Sequence, residues 1–117
     1  MRIITAYEIP NLRFSGIAVE AIPRRRFVKA NLNGEFIVAV AGDGAVVGAS
    51  MNDPAANEVL EIADGIVMVE AGGAIVAGTE VQCGANGTVI TLAAGAKVGT
   101  ALSGGAAGVL ITVKTSV

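Results

Sequence analysis

The sequence predicts a small all-β domain, folded as a compact barrel of the β-clip kind. Apolar residues alternate with polar or small ones in stretches such as Ile66–Glu70, which is the period of a half-buried strand. Sixteen of the 117 residues are glycine, about twice the usual share, and glycine readily adopts the positive φ of tight turns. With no Trp, one Tyr and three Phe, the core must be thin and built from small aliphatic side chains. A chain of this length forms one domain.

The stretch Gly65–Val81 organises the rest of the chain. An alternating strand is followed by Ala71-Gly72-Gly73, and Gly78 follows at short spacing. A chain that turns every few residues cannot lie in one flat sheet and must curl around a small core.

Residues 1–14 are expected to form an extended N-terminal arm, and residues 15–117 the β-rich domain. The first fourteen residues mix apolar and charged side chains without a clean period, and Pro10 interrupts any helix or central strand. The apolar members have no obvious place in a core that the later strands fill, so we expect the arm to contact a partner. The alternative is a first strand of the domain's own sheet. The candidate contact residues are Arg2, Ile3, Ile4, Tyr7, Ile9, Leu12, Arg13 and Phe14.

A basic triplet follows a short alternating run that ends at Pro23. Arg24, Arg25 and Arg26 could bind phosphate or carboxylate, because guanidinium groups match both in geometry. Three basic residues are a weak signal for nucleic acid, and a pI near 5.0 argues against it. The triplet is therefore a candidate secondary contact with a protein partner.

Turn signals divide the first half of the domain. Asn33-Gly34 predicts a tight turn. Residues 36–40 and 45–51 are expected to be the two strands of a β-hairpin. Residues 52–57 could form a loop or one helical turn, because Asp53 precedes Pro54 as at a helix start.

Short strands with glycine-rich turns fill the second half. Glu58–Ile62 is expected to be a strand, followed by a turn at Asp64-Gly65. Later strands are expected over residues 88–92, 98–102 and 109–113. Glycine-rich pieces recur loosely, but the sequence shows no fixed repeat of the length typical of solenoids.

Catalytic chemistry is not expected. The sequence has no His and one cysteine, Cys83, which excludes a Cys–His pair and a disulfide within the chain. The glycines at 42 and 44 lack the third glycine and the following helix of a phosphate-binding loop, and the acidic residues do not match a calcium loop. We therefore expect no enzyme activity, no cofactor and no metal.

Charge is unevenly distributed along the chain. Residues 1–35 carry six basic and three acidic residues, whereas residues 36–117 carry two basic and seven acidic ones. A basic N-terminal segment on an otherwise acidic domain indicates an arm that binds a partner. No signal peptide and no membrane helix are recognisable, so the chain is expected to be made in a cytoplasm and to bind no membrane.

Several segments resemble the small cement or decoration proteins of tailed bacteriophages. They are Ala21-Ile22-Pro23 with Arg26-Phe27-Val28, residues 46–53, residues 65–73, Gly78–Val81, residues 97–102 and residues 108–113. The likeness lies in the rhythm of glycine and valine over residues 15–117. The long apolar start and the triple arginine depart from the family, so contacts of the arm cannot be transferred residue by residue.

The resemblance implies a β-tulip or β-clip domain that binds the major capsid protein on the outer surface of a mature head. It implies a homotrimer at three-fold and quasi-three-fold axes, made in the host bacterial cytoplasm and carried on the virion. Two other classes stay open: an adhesion or interaction module, and a biotinyl or lipoyl carrier. A carrier would present a lysine on an exposed hairpin, and the body contains only Lys97 and Lys114.

Overall fold

The computed structural model describes residues 9–116, and for residues 9–11 it describes the backbone alone. This part of the chain contains nine strands, one short 3-10 turn and no α-helix, which confirms the all-β prediction. The strands are β1 (Ile9–Ile17), β2 (Phe27–Ala30), β3 (Phe36–Val38), β4 (Gly48–Ser50), β5 (Val59–Glu70), β6 (Glu80–Cys83), β7 (Val89–Thr91), β8 (Lys97–Ala101) and β9 (Leu110–Thr115). The 3-10 turn is Ala85–Gly87.

All nine strands belong to one curled sheet in the order β3-β2-β4-β5-β9-β8-β6-β7, with β1 added to β5. Every strand pair is antiparallel. The twelve-residue strand β5 is the centre, because it pairs with β1 along one edge and with β4 and then β9 along the other. Because β5 is long, it can pair with β4 over its first half and with β9 over its second half.

Strand β5 runs without interruption through Asp64 and Gly65, so the prediction of a turn there was wrong. Gly65 takes the positive φ of 115° that the Asp-Gly pair indicated, but within a strand. Its N–H donates to Asp64 Oδ1 at 2.8 Å and to Thr115 Oγ1 at 2.9 Å. Strand β9 therefore supplies a partner that keeps this part of β5 in the sheet.

Two hydrophobic cores pack against β5. Leu60 and Ile62 belong to the smaller core, and Ala63, Val67 and Val69 to the larger one. Two adjacent residues, Ile62 and Ala63, are both buried, and burial alternates on either side of them. Since side chains alternate between the faces of a strand, β5 presents one face to the smaller core and then the opposite face to the larger core.

Strand β2 is likewise buried on both faces, because Phe27 lies in the larger core and Val28 in the smaller one. Two isolated bridges curl the ends of the sheet inwards. Ala18 bridges Phe36, which brings the end of β1 to β3, and Ala71 bridges Val89, which brings the end of β5 to β7. The result is one curled, half-barrel sheet in which both β2 and β5 contribute to each of the two cores.

The predicted hairpin of residues 36–51 was wrong. Strands β3 and β4 do not pair with each other, because β2 lies between them and pairs with both. The turn at Asn33-Gly34 is confirmed and joins β2 to β3, with Gly34 at a φ of 75°. Residues 52–57 form bends and a turn without a helix.

Two turns in the second half of the chain have the same conformation and bind each other. Residues 71–80 and 101–110 follow the same succession of bends, a bridge and a turn before a strand. Ile75 and Gly105 exchange both backbone hydrogen bonds at the centre, at 2.8 and 3.0 Å. Ala71 N–H donates to Val109 at 2.9 Å, and Ala101 N–H donates to Thr79 at 2.9 Å. The two turns are thus related by an approximate two-fold axis between Ile75 and Gly105.

Candidate functional site

Strand β1 carries the described part of the expected arm. It extends from Ile9 to Ile17 and so crosses the expected boundary between residues 14 and 15. It pairs with β5 through eight register positions, with an irregularity between Pro10 and Leu12. Residues 9–14 are therefore part of the domain's own sheet, as the alternative interpretation of the sequence proposed.

The candidate contact residues of the arm have different environments. Arg2, Ile3, Ile4 and Tyr7 lie outside the described residues, and Ile9 is described by its backbone alone. Leu12 is 55% exposed, and Arg13 is exposed beside it. Phe14 instead packs on the smaller core, with its ring centroid 6.0 Å from that of Phe36. The expectation that no apolar residue of the arm has a place in the core was thus wrong for Phe14.

Among residues 9–116, no strand pairs with the outer edge of β1 along Arg13–Ser15. Ala18 N–H donates to Glu58 O at 2.9 Å. Hydrogen-bonded and non-bonded positions alternate in an antiparallel pair, so the backbone groups of Arg13 and Ser15 point away from β5. Among residues 9–116, the only bridge from this side of β1 is the one at its end, between Ala18 and Phe36. Both Arg13 and Ser15 are exposed, so an extended segment can reach them.

The first arginine of the basic triplet lies at the surface. Arg24 donates its backbone N–H to Asp53 Oδ1 at 2.7 Å and its Nε to Oδ2 at 2.8 Å. The backbone and then the side-chain hydrogen bond from Arg24 lower the pKa of Asp53. Both side chains are more than half exposed, so the Arg24 guanidinium also remains accessible to a partner.

The other two arginines are held more firmly within the domain. Arg25 has a φ of 62°, donates its N–H to Ser50 O at 2.8 Å and places its guanidinium 3.6 Å from Met51 Sδ. Arg26 contacts Glu70 Oε2 at 3.2 Å and Asn86 O at 3.1 Å, with its side chain 18% exposed.

Arg26 therefore ties β5 to the 3-10 turn, and the triplet does not form one cationic patch. The structural role of Arg26 could not be predicted from the sequence, because its partners Glu70 and Asn86 are distant along the chain.

Lys29 and Asp43 form the best-shielded ion pair of the described residues. Lys29 Nζ lies 2.7 Å from Asp43 Oδ2, and Ala45 N–H donates to Oδ1 at 2.9 Å. Burial of the carboxylate raises its pKa, but the hydrogen bonds from Lys29 and Ala45 and the charge of Lys29 outweigh burial and lower the pKa. This pair joins β2 to the loop before β4, which is a structural role.

Cys83 is unsuited to nucleophilic chemistry. It is fully buried in the larger core. Burial, together with the nearby Asp43 charge, raises the pKa of the thiol to about 11. A thiol is a good nucleophile only as the thiolate.

Other kinds of site find no support in residues 9–116. No group of three His, Cys, Asp or Glu side chains is arranged to hold a metal ion there. No helix in that range is long and apolar enough to cross a membrane. Lys97 opens β8 and pairs with Glu80 at 2.8 Å, and Lys114 lies within β9, so neither is the hairpin-tip lysine that a carrier would present.

The fold defines a class of small, all-β, barrel-like domains with a shared central strand. Among solved structures, the chain is similar to the N base of the head fiber gp8.5 of bacteriophage phi29, with a TM-score of 0.73 and 18% sequence identity. The match covers 90% of this chain and 93% of the other. At this identity the likeness shows a common fold. No family model and no curated protein matches the sequence.

Proposed function

We propose that this chain is a structural protein of a bacteriophage head that binds the outer surface of the mature capsid and stabilises it. The observation that carries the proposal is the match in fold to a phage head fiber base over nearly the whole of both chains. The likeness to cement proteins seen in the sequence points to the same class. The proposed protein acts by binding alone, without a catalytic group, cofactor or metal.

The proposed partner is the major capsid protein, and the proposed contact is the N-terminal arm together with the edge of β1. The backbone groups of Arg13 and Ser15, which point away from β5, could receive an extended coat-protein segment, with main-chain hydrogen bonds supplying affinity. Exposed side chains such as Leu12 would supply register and specificity. Arg2 and Arg13 would steer the encounter with acidic coat residues.

The basic triplet is a secondary contact in this proposal. Arg24 is its most accessible member, because its side chain is 58% exposed even while paired with Asp53. Arg25 and Arg26 contribute mainly by holding the loop that presents Arg24. A coat carboxylate that replaced Asp53 would meet a guanidinium of suitable geometry.

Stabilisation follows from selective binding. A ligand that binds only the expanded lattice favours that lattice by mass action. We propose that three copies assemble at the three-fold and quasi-three-fold axes of the head. Once one subunit of the trimer is bound, the effective concentration of the other subunits at the capsid surface is high. Individually weak contacts then hold the trimer on the capsid for a long time.

Sedimentation with phage heads tests the proposed function. Purified protein is mixed with undecorated expanded heads of the phage that encodes it, and with unexpanded proheads as a control. We expect saturable binding to expanded heads, little binding to proheads, and density at the symmetry axes in cryo-electron micrographs. Expanded heads that stay bare at saturating protein concentration would contradict the proposal.

A further inference from the structure

The chain contains two Asn-Gly pairs, Asn33-Gly34 and Asn86-Gly87. In such a pair the backbone nitrogen of the glycine can attack the side-chain amide carbon of the asparagine, because glycine has no side chain to obstruct the approach. The reaction requires both groups to be mobile enough to meet. The surroundings of the two pairs therefore determine which asparagine reacts in the folded protein.

The first pair lies in open surroundings, at the tip of the turn between β2 and β3. Asn33 and Gly34 are both exposed. Apart from Gly34 and its two chain neighbours, nothing lies within 4 Å of a Cβ at Gly34. The turn is held by Asn31, whose Oδ1 accepts the N–H of Asn33 at 2.9 Å and that of Glu35 at 3.0 Å. The side chain of Asn33 can therefore rotate without loss of these hydrogen bonds.

The reacting nitrogen of the first pair makes one long hydrogen bond. Gly34 N–H donates to Asn31 O at 3.2 Å, at the upper end of the usual range for such bonds. This bond lies at the tip, beyond the last register pair of β2 and β3, which is Ala30 with Phe36. Exposed turns open at a small cost in free energy, so the Gly34 nitrogen can reach Asn33 Cγ while the sheet stays folded.

The second pair is held in place by the domain. Gly87 is buried, and a Cβ there would lie 2.6 Å from the carbonyl oxygen of Phe27. Asn86 is exposed, but its backbone oxygen accepts a hydrogen bond from Arg26 Nη1 at 3.1 Å. A rotation that brings the Gly87 nitrogen to the Asn86 side chain would break this hydrogen bond and move Gly87 away from Phe27.

We propose that Asn33 is a site of spontaneous deamidation in the folded protein, and that the fold protects Asn86 from the same reaction. The Gly34 nitrogen gives its proton to a base in solution, such as hydroxide, and forms a bond to Asn33 Cγ. The bond between Cγ and Nδ2 breaks, and Nδ2 takes up a proton and leaves as ammonia. A five-membered imide remains in the main chain.

Water then opens the imide at one of its two carbonyl carbons. Opening at Cγ gives aspartate at position 33, and opening at the backbone carbonyl gives isoaspartate, in which the main chain runs through the side-chain carbons. Either product adds one negative charge to a chain of net charge −2, next to the fully exposed Leu32. The reaction needs only water and a base, so it does not depend on the proposed binding to phage heads.

Peptide mapping tests the proposal. Native protein is incubated in mildly alkaline buffer, with a parallel sample in denaturant, and both are digested after glutamate. This cleavage places Asn33 in the fragment of residues 21–35 and Asn86 in the fragment of residues 81–117. Mass spectrometry measures the exchange of an amide NH₂ for OH in each fragment. A sample digested at zero time corrects for conversion during digestion.

In denaturant we expect Asn33 and Asn86 to convert at similar rates, because both precede glycine. In the folded protein Asn33 should convert about tenfold or more faster than Asn86, because an exposed tip opens more readily than a packed turn. The matched variant is Asn33→Gln, whose longer side chain would have to close a larger ring. Conversion of the fragment 21–35 should fall strongly in this variant, and circular dichroism verifies that it folds.

Equal rates at Asn33 and Asn86 in the folded protein would overturn the inference. So would an Asn33 that stays intact in the folded protein over a time in which both residues convert in denaturant. The fragment 21–35 also contains Asn31. If this fragment gains the same mass in the Asn33→Gln variant, the reaction occurs at Asn31, and the assignment to Asn33 is wrong.

Discussion

Gly87 lies directly against the main chain of Phe27. A Cβ at Gly87 would lie 2.6 Å from the Phe27 carbonyl oxygen and 3.1 Å from its nitrogen, and Gly87 has a φ of 71°. We expect Gly87→Ala to lower the free energy of unfolding by about 2–4 kcal/mol, because it adds both strain and overlap with backbone. Urea unfolding followed by circular dichroism measures this.

Gly73→Ala is the control for that variant. Apart from Gly73 and its two chain neighbours, nothing lies within 4 Å of a Cβ at Gly73, and its φ is not positive. Its unfolding free energy should stay within about 0.5 kcal/mol of the native value. If both variants unfold at the same urea concentration, the close approach of the 3-10 turn to β2 is not important for stability.

Asp43→Asn tests the shielded ion pair through pH. The pKa of Asp43 is lowered from 3.8 in the folded protein, so its carboxylate stabilises the fold above that pH, and the contribution is lost as the pH falls through the lowered value. The variant should lose about 1–3 kcal/mol at pH 7. Its stability should then fall less steeply than that of the native protein below about pH 4.

The matched variant is Asp53→Asn at the exposed Arg24 pair. Solvent screens that pair, so the loss at pH 7 should be smaller than for Asp43→Asn. Stability curves from pH 2 to 7 at fixed salt compare the two. Equal losses for both variants would mean that burial of the Lys29–Asp43 pair adds nothing.

Cys83 should be inert to thiol reagents in the folded protein. Its pKa of about 11, raised from 9.0 by burial, leaves little thiolate at pH 8. We expect full labelling by a chromogenic disulfide reagent in denaturant and less than a few per cent in buffer over the same time. Rapid labelling of the native protein would show that the larger core opens frequently.

Arg26→Ala and Arg24→Ala separate structure from binding in the basic triplet. Arg26→Ala should cost about 1–3 kcal/mol, because Glu70 and the Asn86 carbonyl lose a partly buried partner. Arg24→Ala removes an exposed pair and should change stability by less than about 1 kcal/mol. In the proposed function, Arg24→Ala still weakens head binding in sedimentation. Unchanged binding would remove the triplet from the contact surface.

Two truncations separate the arm from the first strand. Deletion of residues 2–8 leaves Ile9–Ile17, the described length of β1, so the domain should fold and bind heads weakly. Deletion of residues 2–14 removes most of β1 together with Phe14 of the smaller core, and stability should fall markedly. Melting curves and head sedimentation are measured for both. Full head occupancy by the 2–8 deletion would show that these residues are not the contact.

The sequence was sufficient to predict the strands whose turns are local. Gly34 takes the conformation that the Asn-Gly pair demands, and the later strands lie close to the predicted runs. Pairing was harder to predict, because hydrogen bonds across the sheet leave no local signal. The segments 36–40 and 45–51 have the pattern of a hairpin, but β2 lies between β3 and β4 and pairs with both.

Other features of the fold could not be predicted because they depend on contacts between residues far apart in the sequence. Gly65 stays within β5 because Thr115, far along the chain, accepts its N–H. The relation between the turns 71–80 and 101–110 could not be predicted from the sequence. The two turns share a backbone conformation but have identical residues at few positions, such as Ala71 and Ala101. For the arm, alternating apolar residues predict contact with some surface. They do not distinguish a foreign sheet from the domain's own.

The antiparallel pairing of β1 with β5 determines how the domain bears load. A pull on Ile9 along the axis of β1 acts on all eight register positions simultaneously, in shear, because the hydrogen bonds lie across the direction of the pull. The load passes into a strand that packs against both cores. A domain tethered through β1 would therefore resist detachment by tension better than one whose bonds open one after another.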